Sequence, residues 1–134
     1  MLKKLFLVTG IAAVLISCSS PAKKTPVTDV EVATAFVRGI LDNKFDEAEL
    51  YLLKNETNTD LFSRFKKDYS SKKKEQLEKY KNADIIVNEI SYVTDSICIF
   101  NYSNSYTKEA KNLKVVRVNG KWLIDFQYTF SGNL

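Results

Sequence analysis

The residue types that most often carry out chemistry in proteins are scarce in this chain. It has no histidine and only two cysteines, Cys18 and Cys98, among its 134 residues. Histidine is the commonest general base near neutral pH and the commonest metal ligand. Its absence excludes histidine-based catalytic triads and the usual zinc sites. We therefore predict no metal site and no cofactor, and we assign no catalytic residue.

Cys18 follows a segment that has the features of a secretory signal peptide. The segment Met1–Ser17 combines Lys3 and Lys4 with a short apolar run and a small residue just before the cysteine. The apolar run is too short to span a bilayer comfortably, and this order of features is typical of a secretory signal. The stretch Leu15-Ile16-Ser17-Cys18 resembles the bacterial lipobox, in which the cysteine thiol receives a diacylglycerol and becomes the mature N-terminus. We therefore predict lipidation of Cys18.

A flexible tether is predicted over residues 18–27, because this stretch is rich in serine, lysine and proline and has little that could pack. By resemblance to known sorting rules, Ser19 after the lipidated cysteine favours passage to the outer membrane. The tether has no acidic cluster that might direct surface export. The predicted location is therefore the bacterial cell envelope, lipid-anchored in the outer membrane and facing the periplasm. The alternative is an ordinary secretory signal with an incidental cysteine.

Length and charge limit what the mature chain can be. Removing the 17 signal residues from 134 leaves 117, enough for one domain, which we place at residues 28–134. The mature chain keeps 18 of the 20 basic residues and all 16 acidic ones, so its net charge is +2. That balance does not point to nucleic acid as a partner. Cys98 sits between Ile97 and Ile99, which is typical of a small, inert core residue.

The first part of the domain has a helical pattern. Thr28 and Glu31 have the spacing of a capping box, in which each side chain bonds the other residue's backbone N–H. Apolar residues then recur at spacings of three and four over residues 30–41, which predicts an amphipathic helix. Asp42-Asn43-Lys44 is expected to end it, and a short second helix follows with Asp46 as its predicted cap.

A third helical stretch is predicted from about Asp60, after a polar turn at residues 55–59. Its apolar residues recur on one side and are Leu61, Phe62, Phe65, Tyr69, Leu77 and Tyr80. Residues 70–76 contain none. The stretch is therefore either one long helix with a solvated middle or two helices broken near Ser70-Ser71.

After Asn82 the apolar period changes to two, which predicts strands. One face of the first strand is expected to carry Ile86, Ile90 and Tyr92. One face of the second is expected to carry Cys98, Phe100, Tyr102 and Tyr106.

The last two strands are predicted at Leu113–Val118 and Lys121–Phe130. Asn119-Gly120 between them is a strong hairpin signal, because a type I′ turn needs positive φ at both central residues. Helices followed by meandering strands predict an α+β fold. We expect N-terminal helices packed on one face of a curved antiparallel sheet of about four strands.

Two stretches, Phe36–Ala48 and Val116–Ile124, resemble small lipoproteins of the nuclear-transport-factor-2-like (cystatin-like) superfamily, in its uncharacterised lipoprotein branch. In those proteins an aromatic residue, two acidic residues and alanine follow the first helix. A glycine turn followed by Lys-Trp forms their last hairpin. The resemblance implies a cone-like fold that often encloses a pocket. It implies no activity, because members include isomerases, dehydratases, ligand-binding modules and interaction domains.

Aromatic residues are the candidates for lining such a pocket: Tyr92, Tyr102, Tyr106, Trp122 and Tyr128. The alternative is that the tyrosines are rim residues with buried rings and hydrated hydroxyls. Trp122 is predicted to be largely buried near Phe36 and Ile40. Asp125 alternates off the Trp122 face, so we expect it to face solvent and to leave the cavity without a catalytic base.

A basic surface is predicted on the third helical stretch, formed by Lys66, Lys67, Lys72, Lys73 and Lys74. It could contact anionic lipid headgroups or an acidic partner. The alternative is a solvated helix face, with Glu75 paired to Lys79.

The leading functional hypothesis is a non-enzymatic envelope lipoprotein, held in the bilayer by acylated Cys18, that binds a protein partner or a small ligand at the open end of its sheet. One alternative is a small-molecule enzyme of the isomerase or dehydratase type with a pocket under the sheet. Another is a structural membrane-surface protein that acts through its basic helix.

Overall fold

The structure, a computed structural model, describes residues 24–130. The predicted signal peptide, Cys18 and most of the tether lie outside the described residues, as does the end of the predicted domain. Four helices precede four strands along the chain, and a 3₁₀ helix follows. Their bounds are α1 Asp29–Leu41, α2 Phe45–Glu49, α3 Glu56–Ser70, α4 Lys74–Lys81, β1 Ile85–Thr94, β2 Ile97–Asn104, β3 Lys111–Val118, β4 Lys121–Asp125 and the 3₁₀ helix Phe126–Phe130.

The four strands form one antiparallel sheet in which every strand pairs with its neighbour in sequence, in the order β1-β2-β3-β4. This confirms the predicted α+β fold with helices before strands. The predicted hairpin turn is also confirmed, since Asn119 and Gly120 have φ of 50° and 77°. Positive φ at both central residues gives the turn the twist that the flanking strands need.

The capping box at the start of α1 is confirmed. The Thr28 hydroxyl accepts the Glu31 backbone N–H at 3.2 Å, and the Glu31 carboxylate accepts the Thr28 N–H at 3.1 Å. The same carboxylate accepts the backbone N–H of Val27 and a bond from Lys24. These donors lower the pKa of Glu31 to about 2, with the backbone bonds as the main cause.

The junction between α1 and α2 is unusually tight. A Cβ added to Gly39 would lie 3.0 Å from the Cβ of Ala48, so only glycine lets the two helices approach this closely. The chain turns at Asn43, whose φ is 57°. The predicted cap Asp46 was wrong, because α2 already begins at Phe45 and Asp46 lies in its first turn.

The third helical stretch begins earlier than predicted. Asn55, assigned to a turn, is the N-cap of α3, and its side chain accepts the Asn58 N–H at 2.8 Å. Asparagine favours turns and helix caps alike, so its presence did not distinguish them. Of the two alternatives for the rest of the stretch, the break is confirmed: α3 ends at Ser70 and α4 begins at Lys74.

The core is an aromatic cluster between the helices and the inner face of the sheet. Phe36 on α1, Phe62 on α3 and Phe126 contact one another with ring centroids 5.4–5.8 Å apart. The strands contribute buried residues to the same core, namely Cys98, Phe100, Tyr102, Leu113, Val115 and Ile124. Aromatic rings at these distances and tilted angles pack favourably in protein interiors.

The predicted face of β1 was wrong at Ile86. A bulge between Val87 and Glu89 shifts the register, so Val87 lies opposite Tyr102 and Ile90 opposite Phe100. An extra residue in a strand moves the following side chains to the other face. The inner face of β1 therefore carries Val87, Ile90 and Tyr92, while Ile86 lies on the outer face.

The last strand is shorter than predicted. It ends at Asp125, and residues 126–130 form a 3₁₀ helix that turns Phe126 into the aromatic core. The backbone N–H of Gln127 donates to the side-chain oxygen of Asn58 at 2.8 Å, and the Thr129 hydroxyl donates to the carbonyl of Asn112 at 3.2 Å. These two bonds hold the segment over the sheet in place of further strand pairing.

Candidate ligand cavity

A cavity of about 360 Å³ lies between the helices and the sheet. This volume falls in the range of ~300–1,000 Å³ that is usual for small-molecule sites. Residues from several helices and strands line it. The lining residues are Val37, Ile40 and Leu41 of α1; Phe65, Asp68 and Tyr69 of α3; Lys72 and Tyr80; Tyr102 and Asn104 of β2; Ala110 to Leu113; and Phe126, Thr129 and Phe130.

The inner wall of the cavity is apolar. Val37, Ile40 and Leu41 are buried and follow the spacing of three and four that places them on one side of α1. Leu113 of β3 and Phe126 face the same space and are also buried. These side chains present no hydrogen-bonding group to a ligand, so the wall suits an aliphatic or aromatic body.

Tyr102 places one hydroxyl in this apolar surrounding. Its ring packs on Phe100 with centroids 5.9 Å apart, and burial raises the pKa of the phenol to about 12. The hydroxyl is therefore neutral at physiological pH and keeps its proton to donate. Within residues 24–130 it makes no hydrogen bond, so a ligand in the cavity could accept one from it.

Two aromatic rings, those of Tyr69 and Tyr80, line the helical side of the cavity. Tyr69 contacts Tyr80 with centroids 5.2 Å apart, and Tyr80 contacts Tyr106 at 5.0 Å. The Tyr69 hydroxyl donates to the carbonyl of Leu41 at 3.5 Å, and burial raises its pKa well above the usual value for tyrosine. These rings form a rigid wall that accepts flat or flexible apolar groups.

Charged residues surround the mouth of the cavity. Asp68 and Lys111 are exposed and Lys72 is partly buried, and all three line it. The Lys72 ammonium lies 5.9 Å from the centre of the Tyr69 ring, within cation–π range. The sequence did not predict these three residues as cavity lining, because they come from the end of α3, the turn after it and the start of β3.

Of the five aromatic residues predicted to line a pocket, only Tyr102 lines this cavity. Tyr106 lies beyond the end of β2 and packs beside the cavity on Tyr80. Tyr92 is 62% exposed on the inner face of β1. Tyr128 lies in the 3₁₀ helix, with the Lys114 ammonium 6.0 Å from its ring centre. Tyr106 and Tyr128 were assigned to a face by counting alternate residues. Both lie past the end of their strand, where alternation no longer applies.

Trp122 is partly buried and packs against the core cluster that includes Phe36 and Ile40, as predicted. It lies opposite Arg117 beside the Asn119-Gly120 turn, and the guanidinium is 5.8 Å from its ring.

Asp125 lies opposite Lys114 on the outer face of the sheet, as its alternation predicts, but it does not face solvent. It is 7% exposed. Its carboxylate accepts a hydrogen bond from Asn58 at 3.2 Å and lies 3.5 Å from the Lys114 ammonium. The start of α3 covers it, which alternation along one strand could not reveal. Asp125 does not line the cavity.

The sequence did not predict the role of Asn58, whose buried side chain connects the start of α3 to the end of β4. Asn58 is fully buried, donates to the carbonyl of Leu53 at 2.9 Å and to Asp125, and accepts from Gln127. All its partners except Leu53 lie more than sixty residues away in the chain. An asparagine in a polar stretch gave no local signal of this role.

The five lysines predicted to form one basic surface have different surroundings. Lys66 pairs with Asp46 at 2.9 Å, and Lys72 lines the cavity. Lys67, Lys73 and Lys74 are exposed. The predicted pair of Glu75 with Lys79 is present at 3.0 Å.

Cys98 is buried and its pKa is raised to about 11, first by burial and then by the nearby Asp29 carboxylate. Asp29 is 7% exposed, and its Oδ2 has no hydrogen-bond partner in the described part of the chain. The same carboxylate raises the pKa of the Tyr92 hydroxyl. At neutral pH the thiol is protonated and a poor nucleophile.

A second, wider groove of about 700 Å³ lies along another face of α1, between residues 24–26 and α2. It is open to solvent, and Leu50 at its side is 73% exposed. The polar guanidinium of Arg38 crosses it and is already bonded to Asp42 and the carbonyl of Ala83. The cavity between the helices and the sheet is less open to solvent and is therefore the better candidate for a ligand site.

Within residues 24–130, no group of acidic and cysteine side chains could hold a metal ion, and no helix is long and apolar enough to cross a membrane. No protein-family model, curated protein or solved structure matches this chain. The residues themselves, and the cavity that they form, therefore carry the functional argument.

Proposed function

We propose that this protein is a non-enzymatic binding module, held at a membrane of the bacterial envelope by lipidated Cys18, whose cavity binds a small apolar or aromatic ligand. The observation that carries the proposal is the largely apolar cavity whose lining includes the buried, neutral phenol of Tyr102, which has no hydrogen-bond partner within residues 24–130. Small-molecule sites are usually of this kind, with apolar walls and a few polar groups that fix orientation.

The resemblance to lipoproteins of the nuclear-transport-factor-2-like superfamily supports the same proposal. Helices packed on one face of an antiparallel sheet fit that fold, and a cavity lies between the two layers. The tight Gly39–Ala48 contact and the Asn119-Gly120 turn belong to the two stretches on which the resemblance rests.

Ligand binding can be tested with 2-naphthol, a neutral aromatic probe whose hydroxyl can accept a hydrogen bond. The full chain would be placed in lipid nanodiscs and titrated by calorimetry, with empty nanodiscs subtracted. We expect Tyr102→Phe to weaken binding about threefold to tenfold, the effect of losing one hydrogen bond.

Tyr106→Phe is the matched control, because it removes the same hydroxyl from a ring outside the cavity lining. Ala110→Trp, which adds bulk at an exposed lining position, should abolish binding without disturbing the core. Binding of 2-naphthol that is unchanged in all three variants, or absent from the parent protein, would refute the proposal.

The anchor is tested separately, with Cys18→Ala. Incorporation of a radiolabelled fatty acid in a bacterial host should be lost in this variant, because the acceptor thiol is gone. Cys98→Ala is the control and should label like the parent, since Cys98 is buried. Equal labelling of Cys18→Ala and the parent would exclude a lipid anchor at this position.

A further inference from the structure

We infer that the cavity takes an amphiphile with an apolar body and a single carboxylate head, the head lying at the mouth between Lys72 and Lys111. This inference rests on the proposed function and specifies the chemical class of its ligand. It follows from the distribution of polarity and charge along the cavity.

The buried lining of the cavity is mostly apolar, with Asn104 and the Tyr102 hydroxyl among its polar groups, whereas its exposed lining includes charged residues. Val37, Leu113 and Phe126 on the inside are buried and apolar. Lys72 and Lys111 at the mouth carry ammonium groups in contact with solvent. A molecule that fills the cavity and reaches its mouth therefore meets apolar atoms at one end and positive charge at the other.

The two mouth lysines have no carboxylate partner among the described residues, and they differ from the other unpaired lysines in lining the cavity. Lys66 pairs with Asp46 and Lys79 with Glu75, both within 3.0 Å, and Lys114 lies 3.5 Å from Asp125. Neither Lys72 nor Lys111 forms an ion pair in the part of the chain that the structure describes. Their charges remain available to an anionic group of a ligand.

Asp68 is the one acidic residue that lines the cavity. It lies four residues before Lys72 on an exposed position, but no ion pair joins them within residues 24–130. Two ammonium groups and one carboxylate leave the mouth with a net positive charge. A cationic head would be repelled by both lysines, whereas a carboxylate head is attracted by both.

The experiment compares three ligands that share one apolar chain and differ in the head: decanoate, 1-decanol and decyltrimethylammonium. Each is titrated by calorimetry into the full chain in nanodiscs, below its critical micelle concentration, with empty nanodiscs subtracted. We expect decanoate to bind most tightly. Raising the salt concentration should weaken decanoate binding and leave 1-decanol binding unchanged, because salt screens exposed charges.

Lys72→Gln and Lys111→Gln should each weaken decanoate binding about twofold to fivefold, as exposed ion pairs are individually weak. Neither should alter 1-decanol binding. Lys73→Gln is the matched control, since Lys73 is an exposed neighbour that does not line the cavity. Asp68→Asn should strengthen decanoate binding by removing the opposing charge.

The outcomes separate this inference from the proposed function. Equal binding of decanoate and 1-decanol, unaffected by the lysine variants, would overturn the carboxylate head and leave the cavity proposal standing. Preferred binding of decyltrimethylammonium would overturn it too, and would show that Asp68 dominates the mouth. If none of the three ligands binds while 2-naphthol does, this inference fails and the cavity proposal stands; if 2-naphthol does not bind either, both fail.

Discussion

The two edge strands of the sheet, β4 and β1, are protected in very different ways. Along β4, the segment before α3 adds a short parallel bridge, in which Leu52 lies opposite Ile124. The Leu53 N–H donates to the carbonyl of Ile124 at 2.9 Å, and the Ile124 N–H donates to the carbonyl of Tyr51 at 2.8 Å. These bonds occupy backbone groups that an edge strand would otherwise leave open.

Strand β1 pairs only with β2 among the described residues, and all its residues after Ile85 are exposed. Its inner face is apolar at Val87, Ile90 and Tyr92, yet Ile90 is 36% and Tyr92 62% exposed. Two register shifts interrupt its pairing with β2. Bulges of this kind bend an edge strand and make it a poor template for further pairing.

Burial of the sheet edges therefore depends on the helices and loops that cover them. Both edges contain apolar side chains in alternation, but only β4 has chain packed over its open side. Two pairs of substitutions test this difference between the edges, because each pair changes similar side chains at or beside the two edges. A third test concerns Cys98 on β2, which lies opposite β1.

The largest difference is expected between Ile124→Ala and Ile90→Ala. Ile124 is fully buried on β4, so its truncation should lower the free energy of unfolding by about 2–5 kcal/mol. Ile90→Ala should lower it by less than about 1.5 kcal/mol, because that side chain already contacts water in the folded state. Urea denaturation followed by the fluorescence of the single tryptophan, Trp122, measures both. Equal losses would mean that the β1 edge is covered.

A smaller difference is expected between two asparagines, Asn58 and Asn88. Asn58→Ala should cost about 2–3 kcal/mol, since it removes a hydrogen bond from the buried Asp125 carboxylate and leaves the Gln127 N–H without its acceptor. Asn88→Ala on β1 should cost less than about 1 kcal/mol. Its side chain is exposed, and water can replace its bond to Asn101.

Both variants can be measured in the same urea titrations. Additional hydrogen exchange would locate the effect, with faster exchange of the Leu53 and Ile124 amides expected in Asn58→Ala alone. If the Asn58 variant matches the stability of the parent, its hydrogen bonds do not hold the β4 edge.

The smallest effect is a pH dependence from Cys98, which lies opposite Tyr92 of β1. Its pKa is about 11 in the folded protein, against 9.0 for an unperturbed thiol. The neutral thiol therefore favours the folded state fully below pH 9, and this contribution falls as the pH rises from 9 towards 11. Cys98→Ala, compared with the parent, should show a shallower loss of stability across that range. Cys18→Ala serves as the control and should keep the parent's slope.

The sequence alone was sufficient for features that depend on near neighbours. The Thr28–Glu31 capping box and the Asn119-Gly120 turn both follow from interactions within a few residues. The break after Ser70 was one of two alternatives that the sequence left open. The change of apolar period from helical to alternating established the order of helices and strands. The class of fold then followed from that order.

Side-chain faces were predictable only where strands were regular. Cys98, Phe100 and Tyr102 share a buried face as expected, because β2 runs without interruption. Ile86 was placed on the wrong face because a bulge cannot be read from one strand alone. Phe126 was predicted to lie in the last strand, but that strand ends at Asp125. The Asn58 side chain then accepts the backbone N–H of Gln127.

The candidate site depended on tertiary structure almost entirely. Tyr102 was named from the sequence, but its cavity exists only because α1, α3, β3 and the 3₁₀ helix meet around it. Lys72 and Lys111 lie far apart in the chain but line the same cavity. Local sequence determined which segments form helices and strands, since those choices depend on short-range hydrogen bonds and periodicity. Only long-range packing decided which side chains are covered, because a residue's exposure depends on what the rest of the chain places over it.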